Sequence, residues 1–216
     1  MNIAIIGTGN WGMALGKAFR AAGHTLYFGS RTPNQKTEWA ADLGPSVPVG
    51  TYRQAASFGD VVILATPWPG NGTVDALQAL GPLPDKILVD ATNTLQGDYS
   101  PLRFEQAGSG AQEIARLRPE ARVVKAFNSV SGYTLGNQRL RFGDATITGF
   151  YCGDDEAAKQ VVGQLVADAG LAALDAGPLR NAAHLESLGQ LLITLAFSQG
   201  FGGDSGFTFL HRQPPA

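Results

Sequence analysis

Residues 2–12 read NIAIIGTGNWG, and this stretch decides the fold. Asn2 to Gly7 is a short, apolar and β-branched run, which is typical of a buried parallel strand. A glycine pattern of the form G-x-G-x-x-G follows directly. From Trp11 to Ala22 the apolar residues recur at helical spacing, and Gly23 stands where a helix would end. The order of strand, glycine turn and helix predicts the start of a βαβ unit.

Beyond this stretch, strand-like and helix-like segments alternate along the chain. The strand-like segments are TLYFG (25–29), DVVILATP (60–67), KILVDATN (86–93), RVVKAF (122–127), ATITGFYCG (145–153) and AALDAG (172–177). The helix-like segments are residues 38–43, 74–80, 109–117, 156–169 and 182–197. This alternation predicts an α/β fold, a doubly wound and mostly parallel Rossmann-type sheet with a C-terminal helical extension. We expect residues 1–180 to form the main domain and residues 181–216 to add a helix and a glycine-rich tail.

Composition excludes several classes of protein. The chain has 216 residues, of which 44% are hydrophobic and 16% charged, and this indicates an ordinary folded protein. The formal net charge of −2 argues against a nucleic-acid partner, which would require a concentrated basic surface. The single cysteine, Cys152, cannot form an internal disulfide. With no basic leader and no apolar run of roughly 18–20 residues, we expect a cytoplasmic protein without a membrane partner.

The glycine pattern predicts a binding site because of its position between a strand and a helix. Gly7 permits a tight turn, Gly9 lets the backbone approach a pyrophosphate, and Gly12 lets the helix pack close to the strand. The phosphates would then lie at the helix N-terminus, where free amides favour negative charge. The intervening residues of the same loop are Thr8, Asn10 and Trp11. We therefore expect Gly7 to Gly12 to hold a dinucleotide, the alternative being a glycine turn that binds nothing.

The residues after the second strand indicate which dinucleotide is bound. NAD-binding proteins usually place a carboxylate here to grip the ribose, whereas this chain has Gly29, Ser30 and Arg31. A guanidinium makes forked, charge-assisted bonds to phosphate, so Arg31 favours the 2′-phosphate of NADP(H). Ser30 adds a hydroxyl donor, and Thr8 and Lys36 lie near enough in sequence to contribute. A solvated surface arginine is the alternative interpretation of Arg31.

The ends of the later strands are expected to border the nicotinamide. The residues with this predicted role are Thr66, Pro67, Asn93, Ala126 and Asn128. Capping of the strand ends is an equally open role for the polar members of this set. No spacing of histidines or cysteines supports a metal, and no residue stands out as a catalytic acid or base. Lys125, inside a strand-like run, is interpreted as solvent-facing. Direct hydride transfer between two stacked heterocycles requires little acid–base help from the protein.

Several segments together resemble a known family. They are GTGNWG, GSR, ATPW, VDATN, VVKAFN and DAGPLRNAAHLESL, in order over nearly the whole chain. The pattern resembles the NADPH-dependent reductases of the deazaflavin coenzyme F420, and it is similar to the NADPH domain of membrane ferric reductases. This resemblance implies a Rossmann-type NADPH domain, a homodimer, and a C-terminal extension that helps shape the acceptor pocket. The family's phosphate grip carries over onto Thr8, Ser30 and Arg31, and its basic residue falls at or near Lys36.

These observations lead to one main hypothesis and two alternatives. The main hypothesis is an NADPH-dependent oxidoreductase that passes a hydride to a planar small-molecule acceptor, a 5-deazaflavin or a flavin. The first alternative is an NADPH-dependent reductase of an imine or keto metabolite. The second is a non-catalytic NADPH-binding redox sensor, since the absence of a catalytic acid fits both direct transfer and no chemistry.

Overall fold

The computed structural model describes residues 1–35, 39–44, 47–102, 104 and 108–212. Its main sheet has eight strands in the order β10-β9-β6-β5-β4-β1-β2-β3. The strands of this sheet are β1 (Asn2–Ile6), β2 (Thr25–Gly29), β3 (Val49–Gly50), β4 (Val61–Leu64), β5 (Ile87–Asp90), β6 (Arg122–Ala126), β9 (Thr148–Gly153) and β10 (Ala172–Asp175). A separate two-stranded hairpin consists of β7 (Arg141–Phe142) and β8 (Ala145–Thr146). The predicted doubly wound, mostly parallel sheet is confirmed.

At the centre of the sheet β4 pairs in parallel with β1, and all four residues of β4 are apolar and buried. The centre of the sheet is therefore apolar on both faces. One face is covered by a cluster that includes Leu15 and Phe19 of the first helix, and the opposite face by a cluster that includes Leu77 and Ile114. Because both faces are covered, the sheet is accessible at the carboxyl ends of its strands, where the connecting loops lie. Ligands bind at this end of open α/β sheets.

The helices pack on these two faces. They are α1 (Asn10–Ala21), α2 (Tyr52–Phe58), α3 (Gly72–Ala79), α4 (Gly110–Leu117), α5 (Gly132–Gly136), α6 (Glu156–Asp168) and α7 (Ala182–Ile193). Short 3-10 turns lie at Pro33–Gln35, Trp39–Leu43, Pro69–Asn71 and Leu179–Asn181. The helix predicted over residues 38–43 is a 3-10 turn from Trp39 onward, and residue 38 lies outside the described residues. The last predicted helix ends at Ile193 and continues as a π-helical turn over Thr194–Ser198.

Two parts of the sheet differ from a purely parallel arrangement. β9 pairs antiparallel with β6, and β10 pairs parallel with β9, so the last two strands run opposite to the other six. The connection from β6 to β9 passes through the short helix α5 and the β7–β8 hairpin. No helix among the described residues has the length and apolar character that crossing a bilayer requires.

Candidate active site

The glycine loop, Gly7–Gly12, runs from the end of β1 into the first turn of α1, and two of its three glycines are required by packing. Gly7 has a φ of +126°, and its backbone N–H donates to the Gly29 carbonyl over 3.0 Å. A Cβ on Gly7 would lie 2.4 Å from the Ala65 carbonyl oxygen, and one on Gly12 would lie 2.2 Å from the Gly7 carbonyl oxygen. Real Cβ atoms do not approach this closely, so these positions exclude a side chain. The tight loop between strand and helix therefore depends on both glycines.

Gly9 is different because its surroundings are open. A Cβ placed there would meet no protein atom within 4 Å, and the residue is exposed. Gly9 is the N-cap of α1 and offers no side chain to the amides of the first turn. The first turn also contains no acidic residue. An uncapped helix N-terminus beside an open glycine is suited to a phosphate group that approaches the backbone closely.

A crevice of about 750 Å³ lies along the carboxyl ends of the central strands. Its lining residues are Gly9, Asn10, Trp11, Ala65, Thr66, Pro67, Ala91, Thr92, Asn93, Asn128, Val130, Ser131, Gly132, Tyr133, Leu192, Ile193, Ala196, Phe197 and Gly203. Among these described residues there is no carboxylate, lysine, arginine or histidine. The crevice is therefore an uncharged space between the glycine loop and the apolar end of α7.

The structure brings together seven of the residues for which the sequence predicts cofactor contacts. These seven crevice residues are Gly9, Asn10, Trp11, Thr66, Pro67, Asn93 and Asn128. Gly7, Thr8 and Gly12 belong to the same loop without lining the crevice. Ala126 is fully buried in the core under the crevice floor rather than on its surface. Lys36 lies outside the described residues.

Ser30 and Arg31 lie beyond the crevice, directly after β2. Ser30 is buried, its backbone N–H donates to the Gly50 carbonyl, and its Oγ accepts from the Thr32 N–H over 3.2 Å. Among the described residues, the Ser30 hydroxyl makes no hydrogen bond as a donor. Arg31 is exposed and has no ion-pair partner among the residues described. Burial raises the pKa of the Tyr52 phenol, and the charge of Arg31 partly offsets the rise.

Asn93 and Asn128 form a reciprocal pair between the ends of β5 and β6. Asn93 Nδ2 donates to the Asn128 carbonyl over 3.0 Å, and Asn128 Nδ2 donates to Asn93 Oδ1 over 3.2 Å. Asn128 Nδ2 also donates to the Leu185 carbonyl of α7 over 2.7 Å. Gly189 allows this approach, since a Cβ there would lie 2.5 Å from Asn93 Oδ1. The two amides therefore attach α7 to the strand ends.

Lys125 is buried, and its interpretation as a solvent-facing residue is wrong. Its side chain has no exposed area, and Nζ donates to Asp90 Oδ2 over 2.8 Å and to the Thr92 carbonyl over 2.7 Å. A third partner is Glu186 of α7, with Oε1 at 3.3 Å. Asp90 and Lys125 are direct neighbours in the parallel register of β5 and β6. The sequence contained a signal for this ion pair. Asp90 in VDATN and Lys125 in VVKAF occupy matching positions of two neighbouring predicted strands.

The Lys125 ammonium is held charged by its partners. Burial alone lowers the pKa of a lysine, but the nearby carboxylates of Asp90 and Glu186 outweigh burial and raise the pKa of Lys125 above its usual value. Asp90 Oδ1 also accepts from the Thr92 N–H and hydroxyl, and the Thr92 Oγ1 accepts from Trp68 Nε1 over 2.8 Å. This network fixes the turn after β5, which forms part of the crevice floor.

Glu186 connects the same network to α4. Its Oε2 accepts from the Thr94 hydroxyl and from the Gly110 N–H, and its Oε1 accepts from the Ala111 N–H over 3.2 Å. The carboxylate thereby compensates the positive end of α4 as well as Lys125. This role could not be predicted from the sequence, because Glu186 and Gly110 are far apart along the chain. Glu186 and Asn128 together hold α7 in a fixed position relative to the crevice.

The wall opposite the glycine loop was not predicted in detail. The end of α7 and the following π-helical turn supply Leu192, Ile193, Ala196 and Phe197, and α5 supplies Tyr133. The tail returns to this wall, where the Ser131 hydroxyl donates to the Gly203 carbonyl over 2.5 Å. In the same segment, Leu191 and Phe197 are exposed at 48% and 69%. Phe197 lines the crevice, and Leu191 lies outside its lining.

The remaining titratable residues lie away from the crevice. His24 contacts Asp168 Oδ2 at 3.0 Å and joins the turn before β2 to α6, while His184 is exposed. Cys152 is buried in β9, and burial raises the pKa of its thiol to about 12. No group of three or more histidine, cysteine or acidic side chains among the described residues could hold a metal ion.

Comparisons with known proteins agree with this geometry. The family model for NADP oxidoreductase, coenzyme F420-dependent, matches residues 2–94. The F420-dependent NADP reductase of Methanothermobacter thermautotrophicus is 30% identical over 211 residues, which covers 90% of this chain and 89% of that protein. A solved structure of a candidate F420-dependent NADP reductase from Arthrobacter sp. FB24 has a TM-score of 0.85 at 28% identity, covering 97% of this chain and 99% of the other.

Metalloreductases match over most of the same chain. The metalloreductase STEAP3 of Rattus norvegicus is 29% identical over 187 residues, or 86% of this chain, but only 36% of the metalloreductase is covered. The chain thus spans about a third of the length of the metalloreductases that it matches.

Proposed function

The chain belongs to the family of F420-dependent NADP reductases, and from this membership we propose that it transfers a hydride between NADP(H) and a planar acceptor, a 5-deazaflavin or a flavin. The observation that carries the proposal is the uncharged lining of the crevice. Bound NADP(H) supplies the hydride chemistry, and the protein supplies binding, orientation and exclusion of water. An uncharged crevice suits a flat apolar ring, and it offers no charged group that would have to be desolvated when the ring enters.

The residues at one end of the site fit the phosphates of NADP(H). Gly9, with open space in front of it, and the uncapped start of α1 provide amide donors for the pyrophosphate. Ser30 and Arg31, with Thr8 in the neighbouring loop, provide hydroxyl and guanidinium donors for the 2′-phosphate, and we assign Lys36 to the same group. The absence of a carboxylate at residues 29–31 supports NADP(H) over NAD(H).

We propose that the nicotinamide lies across the crevice between the glycine loop and α7. Thr66 and Pro67 border it from the end of β4, with Asn93 and Asn128 from the ends of β5 and β6. The Asn128 side-chain nitrogen is committed to Asn93 and to the Leu185 carbonyl of α7, and in this way it holds the acceptor wall in place. Asn128 Oδ1 is buried and has no hydrogen-bond partner among the described residues. Ala126 contributes as a small buried residue under this floor.

We further propose that two parts of the chain have different roles. Residues 1–180 form the NADP-binding domain, and residues 181–216 complete the acceptor pocket through the wall on α7. Exposed aromatic residues near this wall, Phe197 and Phe201 among them, support a homodimer contact on the same face. The single cysteine, buried and unpaired, agrees with a cytoplasmic location.

The experiment that tests the function is NADPH oxidation by the purified protein, followed at 340 nm, with deazaflavin coenzyme F420 and FMN as parallel acceptors. We expect turnover with at least one of them, and a preference for F420 would match the family. A preference for FMN would match the metalloreductase relatives. Tight NADPH binding without turnover of either acceptor would contradict the proposal and favour the non-catalytic sensor.

The imine or keto reductase alternative makes a different prediction. Such a reaction requires a proton donor beside the hydride acceptor, and Tyr133 is the crevice residue with an acidic proton that could serve. We expect Tyr133→Phe to leave the rate with a deazaflavin or flavin within about threefold, since direct hydride transfer does not use the phenol. A loss of about 100-fold or more, the size typical of a general acid, would favour the alternative.

A further inference from the structure

Trp11 is the one aromatic side chain that the glycine loop contributes to the described part of the crevice. Its indole Nε1 donates to the Ala91 carbonyl at the end of β5 over 2.9 Å. Its ring also lies against α5, since a Cβ on Gly132 would be 3.3 Å from Trp11 Cε3. The side chain thus extends from the start of α1 to the strand ends, away from the amides that would bind phosphate.

These contacts fix the plane of the indole before any ligand enters. Its polar N–H is already bonded to a backbone carbonyl, and part of the ring packs on the hydrophobic core. The indole is only partly buried, and it lines the same crevice as the apolar α7 wall, which includes Leu192 and Ile193. A fixed aromatic surface in an uncharged crevice is suited to a flat heterocycle.

We propose that the Trp11 indole is the surface against which the nicotinamide ring of NADP(H) lies, so that the ring turns its other face to α7. This inference rests on the proposed function, because it requires NADP(H) in the crevice. Aromatic rings stack on nucleobase-like heterocycles, and tryptophan is the side chain that attracts cations most strongly through its π face. The nicotinamide of NADP⁺ carries a positive charge and that of NADPH does not. Trp11 therefore favours the oxidised cofactor and covers one face of its ring.

The test compares three ligands on wild type and two variants by isothermal titration calorimetry. The ligands are NADP⁺, NADPH and 2′-phospho-ADP-ribose, which keeps the adenosine, the 2′-phosphate and the pyrophosphate but lacks the nicotinamide ring. We expect Trp11→Ala to weaken NADP⁺ about 10- to 100-fold, the range typical of losing one stacked base. The affinity for NADPH should fall less than that for NADP⁺. The affinity for 2′-phospho-ADP-ribose should stay within about twofold of the wild-type value, since this ligand has no nicotinamide ring to stack.

Trp11→Phe keeps an aromatic face and removes the Nε1 bond, so we expect it to bind NADP⁺ between wild type and Trp11→Ala. It also keeps the inference testable if Trp11→Ala does not fold, because phenylalanine attracts cations less than tryptophan and the preference for NADP⁺ over NADPH should shrink. Trp39→Phe is the matched control: Trp39 packs on Phe28 outside the crevice and should leave all three affinities unchanged.

Two outcomes would overturn this inference and leave the proposed function intact. An equal loss for all three ligands would place the role of Trp11 at the pyrophosphate loop, and no loss for any ligand would show that the indole does not contact the cofactor. Failure of the wild type to bind NADP⁺ and NADPH would instead overturn the proposed function, and this inference with it. The pattern across the three ligands therefore separates the two failures.

Discussion

Arg31 is an exposed cation at the end of β2, where residues 29–31 contain no carboxylate. We predict that Arg31→Ala weakens NADPH binding about 10- to 100-fold and leaves NADH binding within about twofold, because hydrogen bonds to charged groups contribute about 1.5–3 kcal/mol. Fluorescence titration with both cofactors measures the effect. Arg20→Ala removes the same charge from the far end of α1 and is the control. Equal weakening of NADPH and NADH would contradict the 2′-phosphate assignment.

Replacing Lys125 should lower the free energy of unfolding far more than replacing an exposed cation. We predict that Lys125→Met lowers the free energy of unfolding by about 3–5 kcal/mol, because it leaves the buried carboxylates of Asp90 and Glu186 without their cation. Urea denaturation measures the change. Arg116→Met breaks an ion pair with Glu113 in which Arg116 is exposed, so this control should change stability by less than about 1 kcal/mol. Similar values for the two variants would show that the buried network is not stabilising.

The same lysine predicts a pH dependence with a definite sign. The pKa of Lys125 is higher in the folded protein than its ordinary value of 10.5, so its contribution is complete below that value and is lost as the pH rises through the folded pKa. We expect the stability difference between wild type and Lys125→Met to be constant from pH 7 to about pH 10 and to shrink above it. A difference that shrinks instead between pH 7 and pH 9 would contradict a raised pKa.

At the scale of structural elements, the glycine loop contains one glycine that packing requires, Gly12, and one that we expect to serve cofactor binding, Gly9. We predict that Gly9→Ala keeps stability within about 1 kcal/mol but weakens NADPH at least about tenfold, because the new methyl group enters open space where the phosphate would approach. Gly12→Ala should instead destabilise the fold by about 3 kcal/mol, since its Cβ would meet the Gly7 carbonyl. Thermal unfolding and NADPH titration on both variants check this. Equal stability losses would contradict the distinction.

The elements that periodicity predicted are those that pack locally. β1, α1 and β2 follow from their apolar pattern, because each buries one face or both against its neighbours in sequence. The helix α2 was missed, although Thr51 and Gln54 form a capping box at its start, because it is short and preceded by residues without a strong apolar pattern. The direction of β9 could not be predicted either, since a buried strand has the same pattern in both orientations.

The candidate site was predictable at its glycine loop and much less at its opposite wall. The loop is a local arrangement of strand, turn and helix, so residues 7–12 contain the whole signal. The wall depends on contacts between distant parts of the chain: Asn128 with Leu185, Lys125 with Glu186, and Gly189 against Asn93. Gly189 was the available signal, because a glycine inside a helix marks a close approach by another group.

At the scale of the whole molecule, the apolar residues near the crevice mouth predict self-association. Leu191, Phe197 and Phe201, which are close in sequence, are exposed at 48%, 69% and 73%. Exposed apolar residues that lie together often mark an interaction surface. We predict that light scattering after size exclusion gives twice the mass of one chain, and that Phe201→Ser lowers it to a single chain at low concentration. Phe142→Ser, on the β7–β8 hairpin, is the control. A single-chain mass for the wild type would contradict the homodimer.

The attachments of α7 and its crevice-lining residues occupy different parts of the helix. Leu185, Glu186 and Gly189 hold the helix in place, whereas Leu192, Ile193, Ala196 and Phe197 line the crevice from three residues further along the chain. We therefore expect substitutions in the second group to reshape the crevice without loosening the helix or touching the glycine loop. Under the proposed function, the choice of electron acceptor would then change through a few substitutions in a single segment, while the source of reducing power would stay the same.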